Sequence, residues 1–164
     1  ILYCEIPESA HEVDWNVAYM KALELYVLGM QMFRDDSGRM YGLAVYDAIS
    51  EAVNEGRVDS FGFKYCVGVF YERKDAMLKY LEEMQKEQNC DLQAQMIDSF
   101  RITVDLYRRL MFDVLREGTE GWNSLFEPVD REHYLEAIKI IQKLKASEER
   151  NVELAKRILQ KKIL

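Results

Sequence analysis

The residues able to do chemistry are few and scattered. Glu8-x-x-His11 and Asp130-x-x-His133 each set a carboxylate and an imidazole one helical turn apart. On a helix such a pair shares one face, so both groups could address a single metal ion. Helical di-metal sites use this spacing and add one acid from each of two further helices, for which Glu51 or Asp98 would serve. Both pairs also stand where helices are expected to start. There a carboxylate facing free backbone N–H groups is ordinary capping chemistry. Capping is the simpler reading; no resident metal and no cofactor are expected, and a helical metalloenzyme using His11 and His133 is the weakest functional alternative.

Nucleophilic chemistry has less to work with. Cys66 lies in an apolar run, which predicts a buried, inert thiol. No serine sits in a G-x-S-x-G elbow, and no glycine-rich loop could cradle phosphate. The chain holds no self-contained catalytic constellation that its sequence can reveal.

Glu148 is the most informative position. It falls on an apolar helical seam between Ile141 and Val152. A buried carboxylate needs a partner or solvent. Arg73 is the candidate partner. A kink at Ala146-Ser147 would instead turn Glu148 outward, and a polar contact with another domain would make Arg73 and Glu148 domain-contact residues. The aromatic content invites a second reading. Trp15, Tyr19, Tyr26 and Tyr107 recur at helical spacing, as core residues do, yet they could also line an apolar cavity. Asp47, Glu51 and Glu55 form an acidic stripe, read as a solvated face or as the rim for a cationic partner.

These residues need elements to hold them. After an extended lead-in over residues 1–8, Ser9-Ala-His-Glu12 has capping-box spacing and predicts a helix to about Arg34. A second, mostly apolar helix is expected over Arg39–Glu55. Phe61–Tyr71 alternates as a strand would, but a lone strand has no partner here, so a helix is expected. Asp75 should cap a further helix to Gln88. A long central helix then covers about 91–116, and a last one runs from an Asp130 cap to about Lys162. Trp122, Leu125 and Phe126 are expected to tuck the intervening loop onto the core. The result is an all-α, single-domain bundle of about five to seven helices.

Composition agrees. The 164 residues are 49% hydrophobic and 31% charged, with only 8 Gly and 2 Pro, which argues against disorder and against an all-β fold. A net charge of −7 disfavours nucleic acid as a partner, and no apolar run is long enough to span a membrane. Three widely spaced cysteines, Cys4, Cys66 and Cys90, read as free thiols of a cytoplasmic protein. A chain that starts at Ile1 reads as part of a longer protein.

One resemblance follows from the order of these segments. Gly42-Leu-Ala-Val-Tyr-Asp47 lies in an apolar helix, and an aromatic stretch ends in Arg73-Lys-Asp-Ala-Met-Leu-Lys-Tyr-Leu81. A long amphipathic helix and a terminal helix carrying Glu148 come next. Over about residues 15–160 this order resembles the helical C-terminal part of butirosin biosynthesis protein H-like proteins. The resemblance implies a separate papain-like domain, with a Cys nucleophile and a His, that transfers an acyl group from a carrier protein to an amine. No segment here matches that domain, so no catalytic residue carries over. The expected function is then an accessory helical domain that packs on, or completes the substrate cleft of, a cysteine-dependent acyltransferase or peptidase-like domain in the same longer chain. The alternative is a small-molecule-binding or regulatory bundle. A homo-oligomer is compatible with either.

Overall fold

The computed structural model describes residues 14–32, 40–87, 91–116 and 125–161. Five α-helices pack as an all-α bundle: α1 (Trp15–Gln31), α2 (Ala44–Asn54), α3 (Ser60–Glu87), α4 (Asp91–Arg108) and α5 (Arg131–Lys161). A π-helical turn, Arg109–Val114, prolongs α4. Helix α5 is the spine: α1, α2 and α4 all pack on it, and α3 packs on α4. Among the described residues no helix is long and apolar enough to cross a membrane.

Local chemistry sets the helix boundaries. Asp14 caps α1, its carboxylate accepting from the N–H groups of Asn16 and Val17 at 2.9 and 3.2 Å. The capping box at Ser9–Glu12 lies outside the described residues. Helix α2 starts at Ala44 rather than Arg39, because Gly42 is left-handed (φ +57°) and breaks any helix entering from its N-terminal side. Asp59 caps α3 by accepting from the Gly62 N–H at 2.6 Å. From there α3 runs unbroken to Glu87, so the separate helix expected from Asp75 is part of it. Asp75 is spent instead on Lys79, one turn along, at 2.6 Å.

The alternating Phe61–Tyr71 segment is helical. Phe63 and Val67 enter the core, while Phe61 and Tyr65 remain exposed. The ring of Phe61 lies between those of Tyr65 and Phe126, stacked at centroid distances of 6.2 and 4.9 Å. Leu125 is buried as expected, but Phe126 is on the surface. Cys66 also differs from expectation: it is exposed, because the inward face of α3 passes through Phe63 and Val67. Cys4, Cys90 and Trp122 lie outside the described residues. Helix α5 begins as expected. Asp130 accepts from the His133 N–H at 2.9 Å, and that bond and the imidazole beside it hold the carboxyl below its ordinary range.

Two apolar clusters make the core. One gathers Tyr46, Phe63, Val67, Tyr107, Leu110, Ile141 and Leu144. The other gathers Tyr19, Leu23, Leu81, Met96, Phe100, Leu154 and Ile158. Along α5 the first ends at Leu144 and the second begins at Leu154. Between them lie Ser147, Glu148 and Asn151, and Glu148 and Asn151 are wholly buried.

Candidate functional site

A buried polar network occupies that junction. Glu148 has 0% of its side chain exposed, and the Lys74 ammonium meets its Oε1 at 2.5 Å. The Tyr26 hydroxyl donates to Oε2 at 2.5 Å and the Tyr46 hydroxyl to Oε1 at 3.3 Å. The amide of Asn151 donates to Oε2 at 3.4 Å and to the Thr103 hydroxyl at 2.8 Å. Thr103 in turn shares a 2.7 Å hydrogen bond with Ser147. Tyr107 joins through a 2.7 Å bond between its hydroxyl and that of Tyr46. Lys74 also stands over the rings of Tyr26 and Phe100, with its Nζ at 4.9 and 5.6 Å from their centroids. All five helices contribute a side chain.

This arrangement answers the cost of burying a carboxylate. An ion pair, two hydroxyl donors and an amide replace the water that Glu148 has lost. The same negative charge works on its neighbours. Burial comes first and Glu148 second in raising the hydroxyls of Tyr26 and Tyr46 far above ordinary tyrosine, and Tyr107 is raised chiefly by burial.

The network lies beside a cavity of about 350 Å³. Tyr26, Tyr46, Lys74 and Tyr107 form its polar side, and Met30, Ile49, Phe70, Met77, Leu110 and Leu144 are among its apolar walls. Arg73 also lines it, from the exposed side of α3. Two glycines shape the far wall. A Cβ at Gly29 would enter open space, whereas one at Gly42 would strike the Met30 carbonyl. The size and the ratio of apolar walls to polar points are those of a small-molecule site.

No family model, curated protein or solved structure matches the chain.

The sequence-derived candidates divide cleanly in space. Glu148, Tyr26 and Tyr107 converge on the network, and Arg73 joins them at the cavity. Tyr19 does not. It is buried in the other apolar cluster, near Tyr80 at 6.3 Å between ring centroids. The side chain of Trp15 lies outside the described residues, as does His11. The ring of His133 is 2.8 Å from Asp130, the residue that caps its helix. Among the described residues no group of three or more His, Cys, Asp and Glu side chains is placed to hold a metal. The acidic stripe is on the surface, where Asp47 pairs with Lys145 at 2.8 Å and Glu55 with Arg57.

The partner of Glu148 is Lys74, not Arg73. The seven-residue step along α3 carries the reason. Val67, Lys74 and Leu81 follow one inward line, so Lys74 points at the core while Arg73 faces out. The line exists only because α3 continues unbroken through Asp75. Tyr46, Thr103 and Asn151 carry no comparable signal beyond being polar or amphipathic at helical spacing.

The network predicts a distinctive alkaline titration. Unfolded tyrosines ionise near pH ~10, whereas Tyr26, Tyr46 and Tyr107 in the native protein hold their protons well beyond it. Above that pH the unfolded chain therefore binds fewer protons than the native one, and stability falls as pH rises. Phenolate absorbance should climb in two steps, the second coinciding with loss of the helical circular dichroism. A single step that titrates every tyrosine while the helices stay intact would contradict the network.

Proposed function

We propose that this protein is a small-molecule-binding helical bundle whose ligand occupies the cavity lined by residues of all five helices. The observation that carries this reading is the open cavity itself, of about 350 Å³, beside a buried ion pair. An apolar cleft of this size, open to solvent and lined by residues of all five helices, is the usual form of a small-molecule site. Burying charge beside it contributes little stability of its own. What the ion pair does supply is a fixed position for Tyr26 and Tyr46, and with them one wall of the cavity.

Gly29 provides the test. It lies in the last turn of α1, where glycine costs about 1 kcal/mol relative to alanine. Its missing side chain leaves the cavity open at that point. Gly29→Leu should fill part of the space while keeping or raising the melting temperature. Titration with the fluorescent probe 1-anilinonaphthalene-8-sulfonate should show a saturable site in the parent protein and at least tenfold weaker binding in the variant. Equal binding by a well-folded Gly29→Leu protein would overturn the reading.

A second reading is favoured by the opposite side of α1. Val17, Leu25, Leu28 and Met32 are exposed there, an apolar stripe on a helix whose other face lines the cavity. This suits an accessory domain that packs on a separate catalytic domain and completes its substrate cleft, as the resemblance to butirosin biosynthesis protein H-like proteins implies. In that case a soluble partner domain encoded with this chain should protect α1 from hydrogen exchange. An α1 that exchanges identically in the complete protein and in the isolated bundle would remove this reading.

A further inference from the structure

The charges and protons around the cavity identify the kind of ligand it suits. Lys74 lines the cavity, but its charge is compensated by Glu148 at 2.5 Å. Arg73 is the other cation in the lining, and it forms no ion pair with any described residue. A guanidinium at the exposed edge of an apolar space is matched to a carboxylate, which it can hold through two parallel hydrogen bonds.

Proton accounting gives the orientation. The Tyr26 hydroxyl donates to Glu148 at 2.5 Å, and the Tyr46 hydroxyl lies 3.3 Å from Glu148 and 2.7 Å from that of Tyr107, a bond in which either hydroxyl can donate. At most one of the three hydroxyl protons is left for the cavity. An anionic group at that deep side would have the Glu148 carboxylate behind the hydroxyls. An apolar chain would instead meet Met30, Ile49, Phe70 and Leu110.

We propose that the cavity binds a medium-chain monocarboxylate, its hydrocarbon chain among the apolar walls and its carboxylate on Arg73. This rests on the small-molecule reading above. The volume of about 350 Å³ lies at the small end for ligand pockets, and suits one unbranched chain rather than a two-chain lipid.

Isothermal titration with octanoate, 1-octanol and octylamine tests it. Octanoate should bind with one-to-one stoichiometry, about tenfold or more tighter than octanol, and octylamine should be weakest. Arg73→Gln should reduce octanoate binding to the octanol level without changing octanol binding. Arg73→Lys, which keeps the charge and loses the fork, should recover part of the difference. Arg73 is exposed, so both variants should keep the parent melting temperature. Equal affinity for octanoate and octanol, or an undiminished preference in Arg73→Gln, would overturn the carboxylate assignment. Binding of the naphthalene probe without binding of any octyl compound would overturn the chain assignment and leave the cavity reading standing. If neither the probe nor an octyl compound binds, the cavity reading itself is wrong.

Discussion

Lys74→Met should lower the melting temperature of this protein by about 10 °C, more than any change to Glu148 itself. The reason is an asymmetry in how the two charges are buried. Glu148 is fully enclosed, whereas 14% of the Lys74 side chain is exposed. Removing the lysine leaves a carboxylate with no water and no cation. Tyr26, Tyr46 and Asn151 still donate to it, but they are neutral. Stranding a buried charge costs about 3–5 kcal/mol. In a domain of this size each kcal/mol is worth about 2–4 °C. Glu148→Gln leaves a lysine whose long stem lets the ammonium turn towards solvent, so its cost should be smaller. The double variant Lys74→Met/Glu148→Gln should be more stable than Lys74→Met alone, since it removes the stranded charge. Thermal unfolding of the three proteins gives the coupling directly. Additive losses, or a Lys74→Met protein as stable as the parent, would mean that the pair is not closed in solution.

Gly42→Ala should be nearly as damaging, through the backbone rather than through charge. Gly42 adopts φ +57°, and a left-handed conformation costs a residue with a Cβ about 1–3 kcal/mol. The new methyl would also sit 2.3 Å from the carbonyl oxygen of Met30 and 2.7 Å from that of Gly29. Those atoms are backbone and cannot rotate away. The adjoining Leu43 N–H donates to the same Met30 carbonyl at 3.1 Å, which is what holds the start of α2 against the end of α1. The contact must therefore open, at a total cost of about 3 kcal/mol and a melting temperature lower by roughly 6–12 °C. Because Met30, Gly29 and Gly42 all line the cavity, ligand binding should weaken with it. Gly56 is the control. It is also left-handed (φ +67°), but an added Cβ there meets nothing. Gly56→Ala should cost only the conformational part, about 1 kcal/mol. Equal losses at the two glycines would show that the α1–α2 approach is not tight.

The two sites share a logic. Each places an unfavourable group, a buried charge or a left-handed turn, where surrounding structure compensates for it. Each also borders the cavity. Gly29 adds a third instance, a helix-weakening residue whose absent side chain is part of the space. Local sequence preference and the global fold disagree at these positions, and such disagreements are expected at functional sites.

Much of the architecture was legible from residue spacing alone. The scarcity of Gly and Pro and the apolar stripes of α4 and α5 sufficed for an all-α fold, because a helix's buried face is written at intervals of three and four residues. The same stripe exposed Glu148 as a polar residue at an apolar position. The boundary of α2 was not legible. Nothing in Met40-Tyr41-Gly42-Leu43 states that the glycine is left-handed, since that follows from its approach to α1. The surface position of Cys66 was misread because an alternating apolar run looks uniformly buried until the helix assigns each residue a side.

What the sequence by itself determined is therefore the helical period, the cap at Asp130, and the presence of one carboxylate that needed explaining. Only the tertiary structure decided that its cation is Lys74, that tyrosines from three helices close around the pair, and that an apolar space opens beside them. Periodicity follows from one helix at a time. A partner or a cavity depends on how several helices cross, and those crossings are set by contacts between residues far apart in the chain.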